Sequence, residues 1–122
     1  MSRRSGQLAE QTACDYLQQQ GLVFLTQNYH CRRGEIDLVM KDADVLVFVE
    51  VRARQNDRYG SALESITPTK QSRIIATAQH YLQQKQEQAT CRFDVVTLRI
   101  HSEKDGQSHQ VCEWIRDAFQ LS

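Results

Sequence analysis

The 122-residue sequence holds no apolar run approaching the roughly 18 residues that a membrane span needs, and Met1 to Gln7 leads into a polar amphipathic segment, not an apolar signal core. A cytoplasmic protein with no membrane partner is therefore expected. Net charge is absent too, since fifteen Lys and Arg balance fifteen Asp and Glu. That balance excludes a polycation that coats nucleic acid by bulk charge, and with 40% hydrophobic residues it excludes a disordered tail. It leaves room for a local basic groove. Cys-x-x-Cys spacing is missing: Cys14, Cys31, Cys91 and Cys112 are scattered, which favours reduced thiols over a disulfide framework. A zinc site built on His30, Cys31 and Cys91 lacks the usual ligand spacing. There are no internal repeats or low-complexity tracts. What remains is one domain over 1–122, large enough to bury about two-thirds of its unfolded surface.

Helical spacing of Ala9, Ala13 and Leu17, with Cys14 and Tyr16 on the adjoining edge, predicts a helix over 8–20 that Gly21 ends. Leu22 to Tyr29 reads as a strand, followed by a polar turn from His30 to Gly34. Ile36, Leu38 and Met40 alternate with Asp37 and Val39, a turn falls at Lys41 to Asp44, and Val45 to Arg52 forms a largely apolar strand. This is a β-hairpin whose second strand has the character of a central one. No periodicity is sustained over 54–66, which reads as a mobile polar loop. Thr67 caps a second helix with Pro68 at its first position; Ile74, Ile75, Ala78, Tyr81 and Leu82 form its core stripe to about Gln86. A further strand spans Phe93 to Leu98, a polar turn spans His101 to Gln110, and Val111 to Phe119 suits either a strand or a short helix. The order implies an α/β sandwich, a mixed β-sheet flanked by helices.

Within this frame, Glu50 is an acid in an apolar run, and Arg52 two residues on shares its strand face. A turn centred on Asp42 and Ala43 would pair position 37 with 48 and make Asp37 the diagonal neighbour of Glu50, about 7 to 8 Å away. Glu10 shares the inward stripe of the first helix and could complete a cluster. Carboxylates with water in the remaining positions suit Mg²⁺ or Mn²⁺, and such an ion stabilises charge on a phosphate under attack. Arg52 would donate to a phosphate oxygen. A plainer reading makes Glu50 and Arg52 a strand-face ion pair, Asp37 a hairpin acid and Glu10 a solvated or capping residue. Arg32, Arg33, Arg54, Arg58, Lys70 and Arg73 surround the acids in sequence and could track a phosphate backbone, or simply solvate the surface. Tyr59 is a candidate for stacking on an unpaired base.

The run Gly34-Glu35-Ile36-Asp37-Leu38-Val39, followed by Val47-Phe48-Val49-Glu50-Val51-Arg52-Ala53-Arg54, resembles the YraN family of small bacterial proteins. Supporting matches span nearly the whole chain: Ala9-Glu10, Tyr16-Leu17, Asn28, Lys70, Arg73-Ile74, Arg92 to Val96 and Ile115 to Phe119. That family is related to the Holliday junction resolvase and restriction-endonuclease superfamily. The resemblance implies a restriction-endonuclease-like sandwich and a metal-dependent nuclease acting on DNA, branched or single-stranded. The roles of helix acid, hairpin acid, strand acid and base fall on Glu10, Asp37, Glu50 and Arg52, with Mg²⁺ or Mn²⁺ as cofactor. It also raises a homodimer, because two symmetric cuts need two sites. Two positions depart from the superfamily pattern: Ile36 stands for the usual Pro, and Arg52 for the catalytic Lys. Arg cannot give up its proton. The alternative expectation is a non-catalytic nucleic-acid-binding or scaffold module; a third is a purely structural partner protein.

Overall fold

The computed structural model describes residues 3–55 and 63–120. Helix α1 (Arg3–Gln19) ends at Gly21, whose φ of +100° lets the Leu22 N–H reach back to the Leu17 carbonyl at 3.0 Å. Strand β1 (Val23–Cys31) turns tightly at Arg32 and Arg33 into β2 (Gly34–Asp42), so the expected turn from His30 to Gly34 is mostly strand. As an edge strand, β1 leaves Val23, Phe24 and Leu25 exposed despite their apolar run. Strand β3 (Val45–Arg54) follows antiparallel to β2. The loop expected over 54–66 lies largely outside the described residues; its described end is a short 3-10 turn, Leu63–Ser65.

Helix α2 (Pro68–Lys85) is capped by Thr67, which accepts from the Lys70 N–H. The crossover through α2 sets β4 (Cys91–Glu103) parallel to β3, and β5 (Gly106–Phe119) returns antiparallel to β4. The polar stretch His101 to Gln110 thus forms the two arms of a hairpin that turns at Lys104 and Asp105, and Val111 to Phe119 is strand, not helix. Sheet order is β1-β2-β3-β4-β5, a five-stranded mixed sheet with one helix on each side. Against one face pack Ala9, Ala13, Cys14 and Leu17 of α1 on Leu38, Met40, Val47, Val49, Val51 and Val96. Against the other pack Ile74, Ala78 and Tyr81 of α2 on Ile36, Val39, Phe48, Val95 and Phe119. All four cysteines are free.

The β2–β3 turn is Ala43-Asp44, and Leu38 pairs Val49, which shifts the expected register by two residues. A two-residue slip preserves faces, so Asp37 falls opposite Glu50 instead of diagonal to it. In addition, Ile36 belongs to the α2-side core while Leu38 and Met40 belong to the α1 side. Regular alternation forbids that, so β2 kinks at Asp37.

A second irregularity lies where β4 pairs β5 between Phe93 and Val95. There the fully buried Asp94 accepts from the Arg92 Nε at 3.1 Å, the Trp114 Nε1 at 2.9 Å and the Asp117 N–H at 3.0 Å. Asp117 is held at φ +53°. The carboxylate replaces the ladder hydrogen bond lost at the bulge and is saturated with donors.

Candidate active site

The β2–β3 ladder ends at Leu38 and Val49; beyond it the strands are joined through side chains. The Val51 N–H donates to Asp37 Oδ2 at 2.8 Å, and the Asp37 N–H in turn faces the Glu50 carboxylate and favours its ionised form. Two acids therefore sit reciprocally across the splayed end of the hairpin. By strand alternation Glu50 and Arg52 lie on the α2 side, with Phe48. Glu10 approaches from α1, on the other side of the sheet, and neighbours both Asp37 and the side chain of Asn28.

Glu50 is 6% exposed, and its donors do not satisfy it. The Arg52 Nη2 stands 3.6 Å from Glu50 Oε2, a long contact, while Glu50 Oε1 and the Arg52 Nε are both buried without a hydrogen-bond partner. An unpaired buried carboxylate oxygen costs free energy that a structural acid such as Asp94 avoids. Burial first, then the neighbouring charge of Asp37, push the Glu50 carboxyl up to about 9, against the opposing pull of Arg52. The same two causes, in the same order, raise Glu10 to about 7. Asp37 is also raised, by burial, although the Val51 N–H and the Arg52 charge act the other way.

These shifts fix a sign for stability. Between 4.5, the ordinary value for Glu50, and about 9, the unfolded chain loses a proton that the folded chain keeps, so stability falls as pH rises through that window. Glu50→Gln removes this contribution. In metal-free buffer its melting temperature is expected to exceed that of the wild type by a margin that widens from about pH 5 to about pH 9. Parallel pH profiles for the two proteins would contradict the burial of Glu50 described here.

Among the described residues, no three His, Cys, Asp or Glu side chains form a ready-made metal cage. The arrangement accounts for this, because Glu10 and Glu50 meet Asp37 from opposite sides of the sheet. Mg²⁺ typically takes only one or two protein carboxylates and keeps several waters. Glu50 Oε1 and the second oxygen of Asp37 are suitable hard donors, so the residues present fit such an ion.

The basic residues divide. Arg32 and Arg33 form the exposed β1–β2 turn. Gly34 next to them lies so close to α2 that an added Cβ would stand 3.2 Å from Thr77 Oγ1 and 3.4 Å from the Arg73 Cβ. This close approach sets Arg73 beside the turn, and Lys70 lies one helical turn before it, its Nζ bonded to the Ser65 carbonyl. Arg54 ends β3 in register with Arg99. Arg58 and Tyr59 fall outside the described residues. Two residues were not singled out as functional from the sequence: Glu35, whose charge raises Glu10, Asp37 and Glu50, and Asn28. Glu35 carried a signal, since its alternation with Asp37 places it at the same strand end.

Comparison with known proteins matches residues 9–98 to the model of "Uncharacterised protein family UPF0102". The chain belongs to the UPF0102 family. A UPF0102 protein of Nitrosococcus oceani is 53% identical over 121 residues, covering 98% of this chain and 94% of that protein. UPF0102 proteins of Nitrosomonas europaea and Pseudomonas aeruginosa are each 50% identical, covering 96% and 97% of this chain and 94% of each relative. UPF0102 is the YraN family that the hairpin motif resembles, and it lies within the restriction-endonuclease-like superfamily. No helix among the described residues is long and apolar enough to cross a membrane.

Proposed function

We propose that this UPF0102 protein binds nucleic acid, DNA in the first instance, and hydrolyses its phosphodiester bonds with Mg²⁺ or Mn²⁺. The observation that carries the reading is the pair of unpartnered buried atoms, Glu50 Oε1 and the Arg52 Nε, beside Asp37 at the splayed strand end. One atom invites a cation and the other an anion; a metal-bound phosphate supplies both. Asp37 and Glu50 would hold the ion, and Glu10 would assist from α1. When bound, the ion supplies Lewis-acid stabilisation and a more acidic water. Arg52 stabilises the charge that accumulates on the phosphate, and because it stays protonated it takes no part in removing a proton from water. The ion pair with Glu50 orients its guanidinium.

Arg32, Arg33, Lys70 and Arg73 lie on the α2 side, with Glu50 and Arg52, and form the proposed phosphate track. Four phosphate contacts predict that log K for DNA falls against log salt with a slope of about −3 to −4. Replacing Arg32 and Arg33 by Glu should reduce the magnitude of that slope by about two. A slope near zero in the wild type would remove nucleic acid as the partner.

The direct test compares wild type and Asp37→Ala on branched, flapped and linear DNA with Mg²⁺, Mn²⁺ or EDTA. Cleavage by the wild type alone, abolished by EDTA, is expected. DNA binding without cleavage under any condition would leave a non-catalytic binding module, the reading that Arg52 in place of Lys favours.

A further inference from the structure

Asn28 occupies mid-strand in β1 at φ +53°, a left-handed conformation that Asn tolerates better than most residues with a side chain. It lies where the β1–β2 ladder skips a pair: Gln27 pairs Leu38 and Tyr29 pairs Ile36, which leaves Asn28 across from Asp37 at the kink. Its side chain neighbours Glu10 and favours the ionised carboxylate, and its carbonyl lies 3.3 Å from the His30 Nδ1. A strand of ordinary geometry would need neither the left-handed residue nor the gap.

We propose that Asn28 is a positioning residue that holds Glu10 against Asp37 and so completes the acid cluster from the α1 side. Glu10 and Asp37 are both acceptors when ionised, and side by side they repel. An Asn28 amide donating to Glu10 offsets that repulsion without adding charge. A Lys or Arg in the same place would steady Glu10 equally well but would neutralise the cluster and compete with a cation. The choice of a neutral donor deepens the cation-site reading and, for its metal-affinity consequence only, rests on it.

The test uses Asn28→Gly, since glycine keeps the left-handed backbone and deletes only the amide. Metal-free NMR of the wild type and of Glu10→Ala comes first. The Asn28 side-chain amide protons should resonate downfield in the wild type and return to the ordinary Asn range when Glu10 is removed, with the core resonances of Ala13 and Leu17 unchanged. An Asn28 signal indifferent to Glu10→Ala overturns the proposal. Mn²⁺ affinity is then measured for wild type, Asn28→Gly, Glu10→Ala and the double variant. Asn28→Gly should weaken Mn²⁺ about tenfold and should weaken it no further in the Glu10→Ala background. Unchanged affinity in Asn28→Gly, or full additivity in the double variant, contradicts a role exerted through Glu10. If the wild type takes up no Mn²⁺, the cation reading fails and the NMR result alone decides the role of Asn28.

Discussion

Asp37→Ala and Asp37→Asn are both expected to abolish metal-dependent cleavage while differing in stability. In the proposed site an ion held by Asp37 and Glu50 would supply several kcal/mol of transition-state stabilisation, so either change should cost at least about a thousandfold in rate. Asparagine, however, retains an oxygen that accepts from the Val51 N–H, now held by Asp37 Oδ2 at 2.8 Å. It also relieves the repulsion that Asp37 exerts on Glu10 and Glu50. Asp37→Asn should therefore melt at or above the wild-type temperature near neutral pH. Alanine strands the Val51 donor, and Asp37→Ala should lie below Asp37→Asn by about 1 to 3 kcal/mol. Urea melts and single-turnover cleavage of the three proteins check both halves. Wild-type cleavage rates in either variant would remove Asp37 from the site.

Asp94→Ala should have the opposite profile, with a large effect on stability. Asp94 is fully buried and accepts from Arg92, Trp114 and Asp117, and Arg92 is also paired with Asp42 Oδ2 at 2.9 Å. Removing it leaves the partly buried Arg92 guanidinium with Asp42 alone and strands an indole N–H and a backbone N–H at the β4–β5 bulge. The expected loss is about 3 to 5 kcal/mol, in the range found when one partner of a buried ion pair is deleted. Equilibrium unfolding measures it, and a loss under about 1 kcal/mol would show that the bulge does not depend on this carboxylate. The contrast between the two acids is informative in itself. Both replace a missing ladder hydrogen bond, but Asp94 meets enough donors to saturate it, whereas the Asp37–Glu50 pair leaves an oxygen bare.

Much of this was legible in the residues. The Thr67-Pro68 helix start, the stripe from Ile74 to Tyr81 and the β2–β3 hairpin follow from capping and periodicity. Glu50 announced itself as an acid in an apolar strand, and Asp37 as its neighbour across a turn. The exact register was less accessible, because Asp42-Ala43 and Ala43-Asp44 are both plausible turn pairs, and it is the pairing of Asp42 with Val45 that distinguishes them. The kink at Asp37 was hidden as well. Ile36, Leu38 and Met40 alternate as though on one face, while tertiary packing assigns Ile36 to the opposite core. Glu10 on α1 and Glu50 on the α2-facing side of β3 meet Asp37 from opposite sides of the sheet, so the three acids could be named from the sequence but not their division. The strand identity of Val111 to Phe119 was ambiguous because β5 is an edge strand with bulges, which blurs the period of two.

Crystals of the protein equilibrated with Mn²⁺ and measured for anomalous scattering would address the central proposal most directly. The expected result is one strong anomalous peak within coordination distance of Glu50 Oε1 and an Asp37 oxygen, lost in crystals of Glu50→Gln. Mn²⁺ at saturating concentration with no peak beside those two carboxylates would contradict a cation site at the splayed strand end.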